Sequence, residues 1–450
     1  MTVHSGTIHR IRQALANGKI RPVELVDRVL RNSNQNAGRN VYLWQDKAWT
    51  KQEAARAEKM PRGEDGPFGD GHGALWGIPV SVKDCFDLEG AQTTCGTTFY
   101  RDRNGIAERD SWLVEKLREA GAVITGKTHL HALAYGITGE NPEFGDCIQP
   151  GTKDLLTGGS SSGASASVLE QSALAAIGTD TGGSVRVPAA LCGLAGYRSS
   201  LGRGNWRGAA HLAESFDTLG WLFRDLQDAP MLAAPFAPVT GSHTVRFSRF
   251  AYVRDEFLDD CEQEVADSFR TAIRELEELG LDGHALDATW WKNSTEIFAP
   301  LQASEAAQLH AGNLDHLEQP IRERLEWGAS LTAEEVADLR RRHAEFRERM
   351  DELFATHELL MMPCAPVSQL RRGAGDGGVA VRKRLLRYTS PFSLAGVPCV
   401  AIPCKAGGAQ VAAARENDEP LLELAARIGT RRDANRHRSE FQLFWQSMGD

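Results

Sequence analysis

The sequence predicts an α/β protein, and three observations carry that reading. Ser111 to Ala120 has amphipathic helical spacing and runs directly into the β-branched triplet Ala122-Val123-Ile124, the helix-then-strand succession of α/β folds. Short apolar runs such as Leu359-Leu-Met-Met-Pro and Val397-Pro-Cys-Val-Ala-Ile-Pro have the length and character of buried strands. The composition, with 42% hydrophobic and 25% charged residues over 450 positions, is that of a soluble globular chain rather than a disordered or fibrous one.

In chain order, Ile8, Ile11 and Leu15 fall at helical spacing with Gly18 as a stop, and Pro22 opens a second helix carrying Leu25, Val26, Val29 and Leu30. A polar loop from Asn32 to Asn40 leads to a candidate strand at Val41-Tyr42-Leu43-Trp44. Thr50 and Glu53 then match a capping box before an Ala-rich helix, and a Gly/Pro-rich loop spans Pro61 to Gly73. Leu75 to Asp84 reads as a β-branched strand that ends on an ionisable side chain, Lys83. By itself a strand-end lysine is ordinarily a surface or ion-paired residue. Asp84 beside it points to the opposite face, so the two need not pair. Later, Val245-Arg-Phe-Ser reads as a strand, Asp259 to Leu279 as an amphipathic helix, and residues 290–356 as mainly helical, with Val336, Leu339, Phe346, Met350 and Leu353 as core.

Two patterns invite chemistry that their context does not support. Gly121 to Thr128 satisfies the phosphate-loop spacing GxxxxGK[ST], but a helix precedes the first glycine and the strand occupies the variable positions, so no nucleotide is expected. His129 and His131, two apart on a helix, would face different sides and make a poor metal pair. The eight cysteines show no CxxC or zinc-like spacing, so neither a metal, a cofactor nor a disulfide framework is expected. The net charge of −9 gives no overall field that would draw nucleic acid or an anionic membrane. No basic-then-apolar leader and no run of about 18 apolar residues is visible, and the expectation is a cytoplasmic protein without a membrane partner.

The informative stretch is Thr157 to Arg198. Two Ser-Gly-rich turns, TGGSSSGASAS and GTDTGGSVRVPAA, flank the apolar run Ser172 to Ile177. Serines set among glycines suit exposed hydroxyls next to backbone that a ligand can approach closely, and the apolar run between the turns is unlike a flexible linker. One local reading is an α/β-hydrolase elbow, since Gly159-Ser160-Ser161-Ser162-Gly163 fits GxSxG with Ser161 as nucleophile; only Leu155-Leu156 stands where its leading strand belongs.

This stretch resembles the amidase signature family, through Gly158-Gly159-Ser160-Ser161-Ser162-Gly163 and Gly178-Thr179-Asp180-Thr181-Gly182-Gly183-Ser184-Val185-Arg186-Val187-Pro188-Ala189. The similarity extends along most of the chain, from Pro79-Val80-Ser81-Val82-Lys83-Asp84 through Gly126-Lys127-Thr128 to Ser390 to Pro398 and Ala412 to Asp418. It departs from the family's pattern at Tyr197-Arg198-Ser199-Ser200.

The resemblance implies a single domain over 1–450, with a large mixed β-sheet covered by helices on both faces. The signature core would lie at about 75–230 and a helical substrate-side insertion at about 290–356. It implies a catalytic triad of Lys83, Ser160 and Ser184. In that triad Ser184 is the nucleophile, Ser160 relays protons, and a neutral buried Lys83 is the base. The turn Thr181, Gly182, Gly183 and Ser184 would supply oxyanion-hole N–H groups, Asp180 and Arg186 would support it, and Ala134 would face the acyl group. The implied activity is hydrolysis of the C–N bond of a small linear amide through an acyl-serine, by a monomer or homodimer. The glutamine-hydrolysing component of a tRNA-dependent amidotransferase, its A-type subunit, which releases ammonia for a partner, is the alternative within the family.

Overall fold

The computed structural model describes residues 6–35, 38–60, 73–236, 246–373 and 379–435. Eleven strands form one mixed sheet. In chain order these are β1 (Tyr42–Trp44), β2 (Pro79–Lys83), β3 (Val123–Thr128), β4 (Ala175–Thr179), β5 (Ala195–Arg198), β6 (Leu219–Phe223), β7 (Arg249–Val253), β8 (Asp282–Leu286), β9 (Leu359–Pro363), β10 (Cys399–Ile402) and β11 (Ala409–Ala413). Their spatial order is β1-β3-β2-β4-β6-β5-β10-β11-β9-β7-β8.

Strand β2 is parallel to β3 on one side and to β4 on the other, while β4, β6, β5, β10, β11 and β9 follow one another antiparallel. Every residue of β2, β3 and β4 is buried, which is why these strands read as continuous apolar or small-residue runs rather than alternating ones. Their parallel register has a consequence for chemistry. Val82 lies opposite Ile177, so the next residues bring Lys83, at the carboxyl end of β2, beside the Gly178-Thr179 end of β4. In an open α/β sheet such strand ends are where ligands bind.

Helix Ser162–Leu169 begins at the first Ser-Gly turn and packs on β4. Gly163 permits this close fit, because a Cβ there would lie 2.2 Å from the Val41 carbonyl oxygen and 2.5 Å from the His129 nitrogen. The predicted helical region contains Thr295–Leu309, Gln319–Ser330 and Ala333–Thr356, with Leu339, Phe346 and Met350 buried; Val336 and Leu353 pack at its edge.

Several local expectations need correction. The helix over Lys47–Glu58 is capped by Asp46, whose carboxylate accepts from the Ala48 and Trp49 N–H groups. Thr50 sits inside that helix and donates back to the Asp46 carbonyl, so Thr50 and Glu53 are not a capping box. The second helix runs on to Gln35, through half of the expected polar loop. The strand placed at Val245 is instead Arg249–Val253, whose ladder is set by β8 and β9, and Val245 itself lies outside the described residues. The helix expected from Asp259 starts at Gln263. His129 and His131 follow β3 in a loop rather than on a helix. The Gly/Pro-rich loop falls, apart from Gly73, outside the described residues.

Candidate active site

Lys83 is fully buried at the end of β2, and its surroundings are hydroxyls. Its Nζ donates to Ser160 Oγ at 2.7 Å and to Thr179 Oγ1 at 2.7 Å. Burial lowers its pKa below the ordinary lysine value, against an opposing pull from Cys85, Asp217 and Asp180. With no carboxylate among the described residues within ion-pair distance, burial favours the neutral amine. Sequence reasoning does not single out Thr179. Its signal is the β4 register, which only the folded sheet supplies.

Ser160 follows Gly159 through a cis peptide bond and is fully buried. Its carbonyl accepts from the His131 N–H at 3.2 Å, which lays the turn Ala132–Ala134 against the first Ser-Gly segment. Ala134 is 8% exposed in this turn, with φ 58°, a left-handed conformation held by its own N–H bond to the His131 carbonyl. Ser184 comes to the same place through its backbone, since the Ser161 N–H donates to the Ser184 carbonyl at 3.2 Å. Its hydroxyl has no hydrogen-bond partner among the described residues, and at 5% exposure it is the least buried of the three expected catalytic side chains. Lys83 and Ser160 are thus joined by a hydrogen bond, while Ser184 stands beside them with a free hydroxyl.

The second Ser-Gly turn is held by charge. Asp180 is fully buried and receives the N–H groups of Gly183 at 2.8 Å, Val185 at 3.2 Å and Arg186 at 3.3 Å. It also receives Arg186 Nε at 3.0 Å, Arg186 Nη2 at 2.9 Å and Arg198 Nη1 at 2.9 Å. Burial alone would raise this carboxyl, but the two guanidinium groups outweigh it and hold the group ionised, well below the usual carboxylate range. Arg186 continues outward to the Thr389 carbonyl at 3.1 Å, Gln410 Oε1 at 2.8 Å and Ser393 Oγ at 2.8 Å. Thr181 Oγ1 donates to Asp217 Oδ1 at 2.6 Å, and Thr389 Oγ1 donates to the Gly182 carbonyl.

One expectation about the oxyanion hole changes here. The Gly183 N–H is engaged by Asp180, so in this structure Gly183 is a turn position and not a free donor. Its φ of 118° and its contact with Thr389, where a Cβ would fall 2.7 Å from Oγ1, require glycine. The N–H groups of Thr181, Gly182 and Ser184 have no partner among the described residues. Arg198, in the segment that departs from the family pattern, also escapes a reading of the sequence. It is fully buried and bonds Asp180, Thr181 and Phe216.

Ser161 does not occupy an elbow. It is fully buried, its Oγ donates to the Thr179 carbonyl at 3.3 Å, and no strand leads into Gly159. Lys127 sits within β3 and is buried against Asp84, with Nζ 2.7 Å from Oδ1, so the phosphate-loop spacing is part of a sheet rather than a loop. His129 bonds Ser162 Oγ and the Gly145 carbonyl, each at 2.8 Å, and burial lowers it to about 4. Among the described residues no group of three or more His, Cys, Asp or Glu side chains converges as a metal site, and no helix is long and apolar enough to cross a membrane.

Comparison with known proteins bears on the family and the fold. The family model Amidase matches residues 31–422. The chain is 30% identical over 427 residues to an indoleacetamide hydrolase of Pseudomonas savastanoi, covering 88% of this chain and 89% of that one. It is 28% identical to the A-type subunit of the glutamyl-tRNA(Gln) amidotransferase of Roseiflexus castenholzii, covering 88% and 89%. A solved structure described as an amidase superposes with a TM-score of 0.82 at 27% identity, over 94% of this chain and 99% of that one. With the family model spanning nearly the whole chain and the same fold in a solved amidase, the chain belongs to the Amidase family and is an amidohydrolase.

Proposed function

We propose that the chain hydrolyses a small amide through an acyl-serine on Ser184, with Ser160 as proton relay and Lys83 as base. The observation that carries this reading is the hydrogen bond from a buried Lys83, flanked by hydroxyls, to Ser160. In the acylation step the Ser184 oxygen attacks the amide carbon while its proton passes to Ser160, whose own proton passes to Lys83. The Thr181, Gly182 and Ser184 N–H groups receive the carbonyl oxygen as it becomes an oxyanion. When the C–N bond breaks, the amine leaves with the proton returned from Lys83 through Ser160. Water then attacks the ester along the same relay and releases the carboxylate. This reading requires the Ser184 hydroxyl, unpartnered among the described residues, to form a hydrogen bond to Ser160 when substrate binds.

Purified protein is tested for ammonia release across a panel of primary amides, with and without hydroxylamine. The acyl-serine predicts a hydroxamate at the expense of acid, and an active amide that yields none would point to direct attack by water. The sequence similarity to the amidotransferase component is addressed by native mass: a monomer or homodimer active alone fits the free amidase.

A further inference from the structure

Beside the proposed triad stand two cations that no carboxylate among the described residues answers. Arg324, on helix Gln319–Ser330, and Arg382, on helix Val379–Arg387, both lie against Tyr135, with guanidinium carbons 4.7 Å and 5.4 Å from the centre of its ring. Both are half-buried. Arg324 donates Nε to the Pro320 carbonyl at 3.0 Å and Nη1 to the Tyr135 carbonyl, leaving Nη2 without a partner among the described residues. Arg382 donates Nη2 to Gln302 Oε1 at 3.0 Å and faces the Tyr135 hydroxyl, with Nε and Nη1 making no well-formed hydrogen bond among the described residues. The Tyr135 hydroxyl is buried and likewise lacks a well-formed hydrogen bond among the described residues.

The pair is tied to the catalytic end of the sheet from two directions. Tyr135 follows Ala134 in the turn whose His131 N–H holds the Ser160 carbonyl. Leu386, one helical turn beyond Arg382, lies where a Cβ on Gly182 would be 3.1 Å away, so the helix carrying Arg382 packs on the proposed oxyanion turn. His131 senses both ends together: burial, then Arg324, Arg382 and Lys83 among its neighbours, push it well below the ordinary histidine value.

Two like charges brought together under partial burial are unfavourable unless something of opposite sign joins them. Elsewhere in the core Arg186 and Arg198 share Asp180, and Lys127 has Asp84. For Arg324, burial and the neighbouring Arg382 lower the pKa to about 10, and burial also lowers Arg382; the Tyr135 phenol beside them offsets part of this, and no carboxylate among the described residues does. Planar guanidinium forks with unused N–H groups, next to a phenolic O–H, match a carboxylate in geometry as well as charge.

We propose that Arg324, Arg382 and the Tyr135 hydroxyl bind a carboxylate borne by the substrate, so that this enzyme acts on amido acids, molecules with an amide at one end and a carboxylate at the other. This rests on the amidase reading of Ser184, and the test separates the two. Malonamate, succinamate and glutaramate are compared with neutral isosteres in which a branched alkyl group replaces the carboxylate. The expected kcat/KM favours the best amido acid on the order of 10²-fold. Arg324→Gln and Arg382→Gln should each cut that ratio about tenfold or more, through KM. Damage to folding would lower both rates and leave the ratio intact. A wild-type ratio near unity, or one that neither substitution moves, overturns the proposal.

A second measurement does not depend on turnover. Calorimetry of succinate and glutarate with Ser184→Ala should show binding that Arg382→Gln weakens. Arginine-dependent binding in a protein that hydrolyses no amide would sustain the carboxylate site while refuting the amidase reading. Inorganic phosphate binding in preference to every dicarboxylate would overturn the carboxylate assignment.

Discussion

Lys83 and Lys127 are both fully buried on neighbouring parallel strands, and the structure treats them in opposite ways. Lys127 lies at the level of Val82 and Lys83 at that of Thr128, so they are one step apart in the ladder and project to opposite faces. Lys127 meets Asp84 at 2.7 Å, the Gln92 carbonyl at 2.7 Å and Thr93 Oγ1 at 2.7 Å. Lys83 meets two hydroxyls. Lys127 has a carboxylate as its counter-charge and is structural; Lys83 has none within ion-pair reach among the described residues, so burial lowers its proton affinity and makes it available as a base. The partner, rather than the lysine or its depth, separates the two roles.

The widest separation should come from the proposed nucleophile. Ser184→Ala is expected to lower turnover by about 10⁵-fold or more, since residues that act as a unit fail together. Retention of even a few per cent of the rate would remove Ser184 from the mechanism. Lys83→Arg comes next, with a loss of roughly 10³-fold, because guanidinium keeps the charge but cannot accept a proton. Near-native turnover in that variant would make Lys83 another Lys127.

Lys127→Met inverts the readout. It strands Asp84 in the core and should cost about 3–5 kcal/mol in urea-induced unfolding. A cost below about 1 kcal/mol would mean that the pair is not what keeps Lys127 structural.

Finer still is the pH profile. With Lys83 lowered, kcat/KM should rise with pH along one ionisation below the free lysine value of about 10.4 and then level off. Thr179→Val deletes an acceptor that favours the charged amine, so the rising limb should move to lower pH, by up to about one unit. A shift to higher pH would show that Thr179 stabilises the neutral form. Smallest is Ser161→Ala, expected to cost about 1 kcal/mol of stability with the pH profile unmoved.

Much of the candidate site is legible in the sequence, for a physical reason. Ser160, Ser184 and the glycines around them lie in two contiguous turns, where composition alone announces unusual backbone, and the resemblance supplied Lys83. What stayed hidden depends on partners far away along the chain. Nothing local marks Thr179 as a neighbour of Lys83, 96 positions earlier, and the role of Asp180 in engaging the Gly183 N–H depends on its exact placement beneath the turn. Arg198 departs from the pattern, yet it gives Asp180 a second guanidinium partner. The capping error had a similar cause at short range: Thr50 and Glu53 have the right spacing, but Asp46 lies four residues earlier and its carboxylate satisfies the first N–H groups.

The reach of Arg186 bears on how the protein comes into being at the ribosome. This side chain fastens the Ser184 turn to Thr389, 203 residues later, and to Gln410, 224 residues later, while β5 finds its neighbour in β10. Both Ser-Gly segments and Lys83 therefore emerge long before the parts that fix them in place. Until Gln410 has left the exit tunnel, a nascent chain holds all three proposed catalytic side chains without the framework that aligns them. Fragments ending before that point should contain Lys83 and both Ser-Gly turns and yet be inert, so the activity arrives only once Gln410 has emerged.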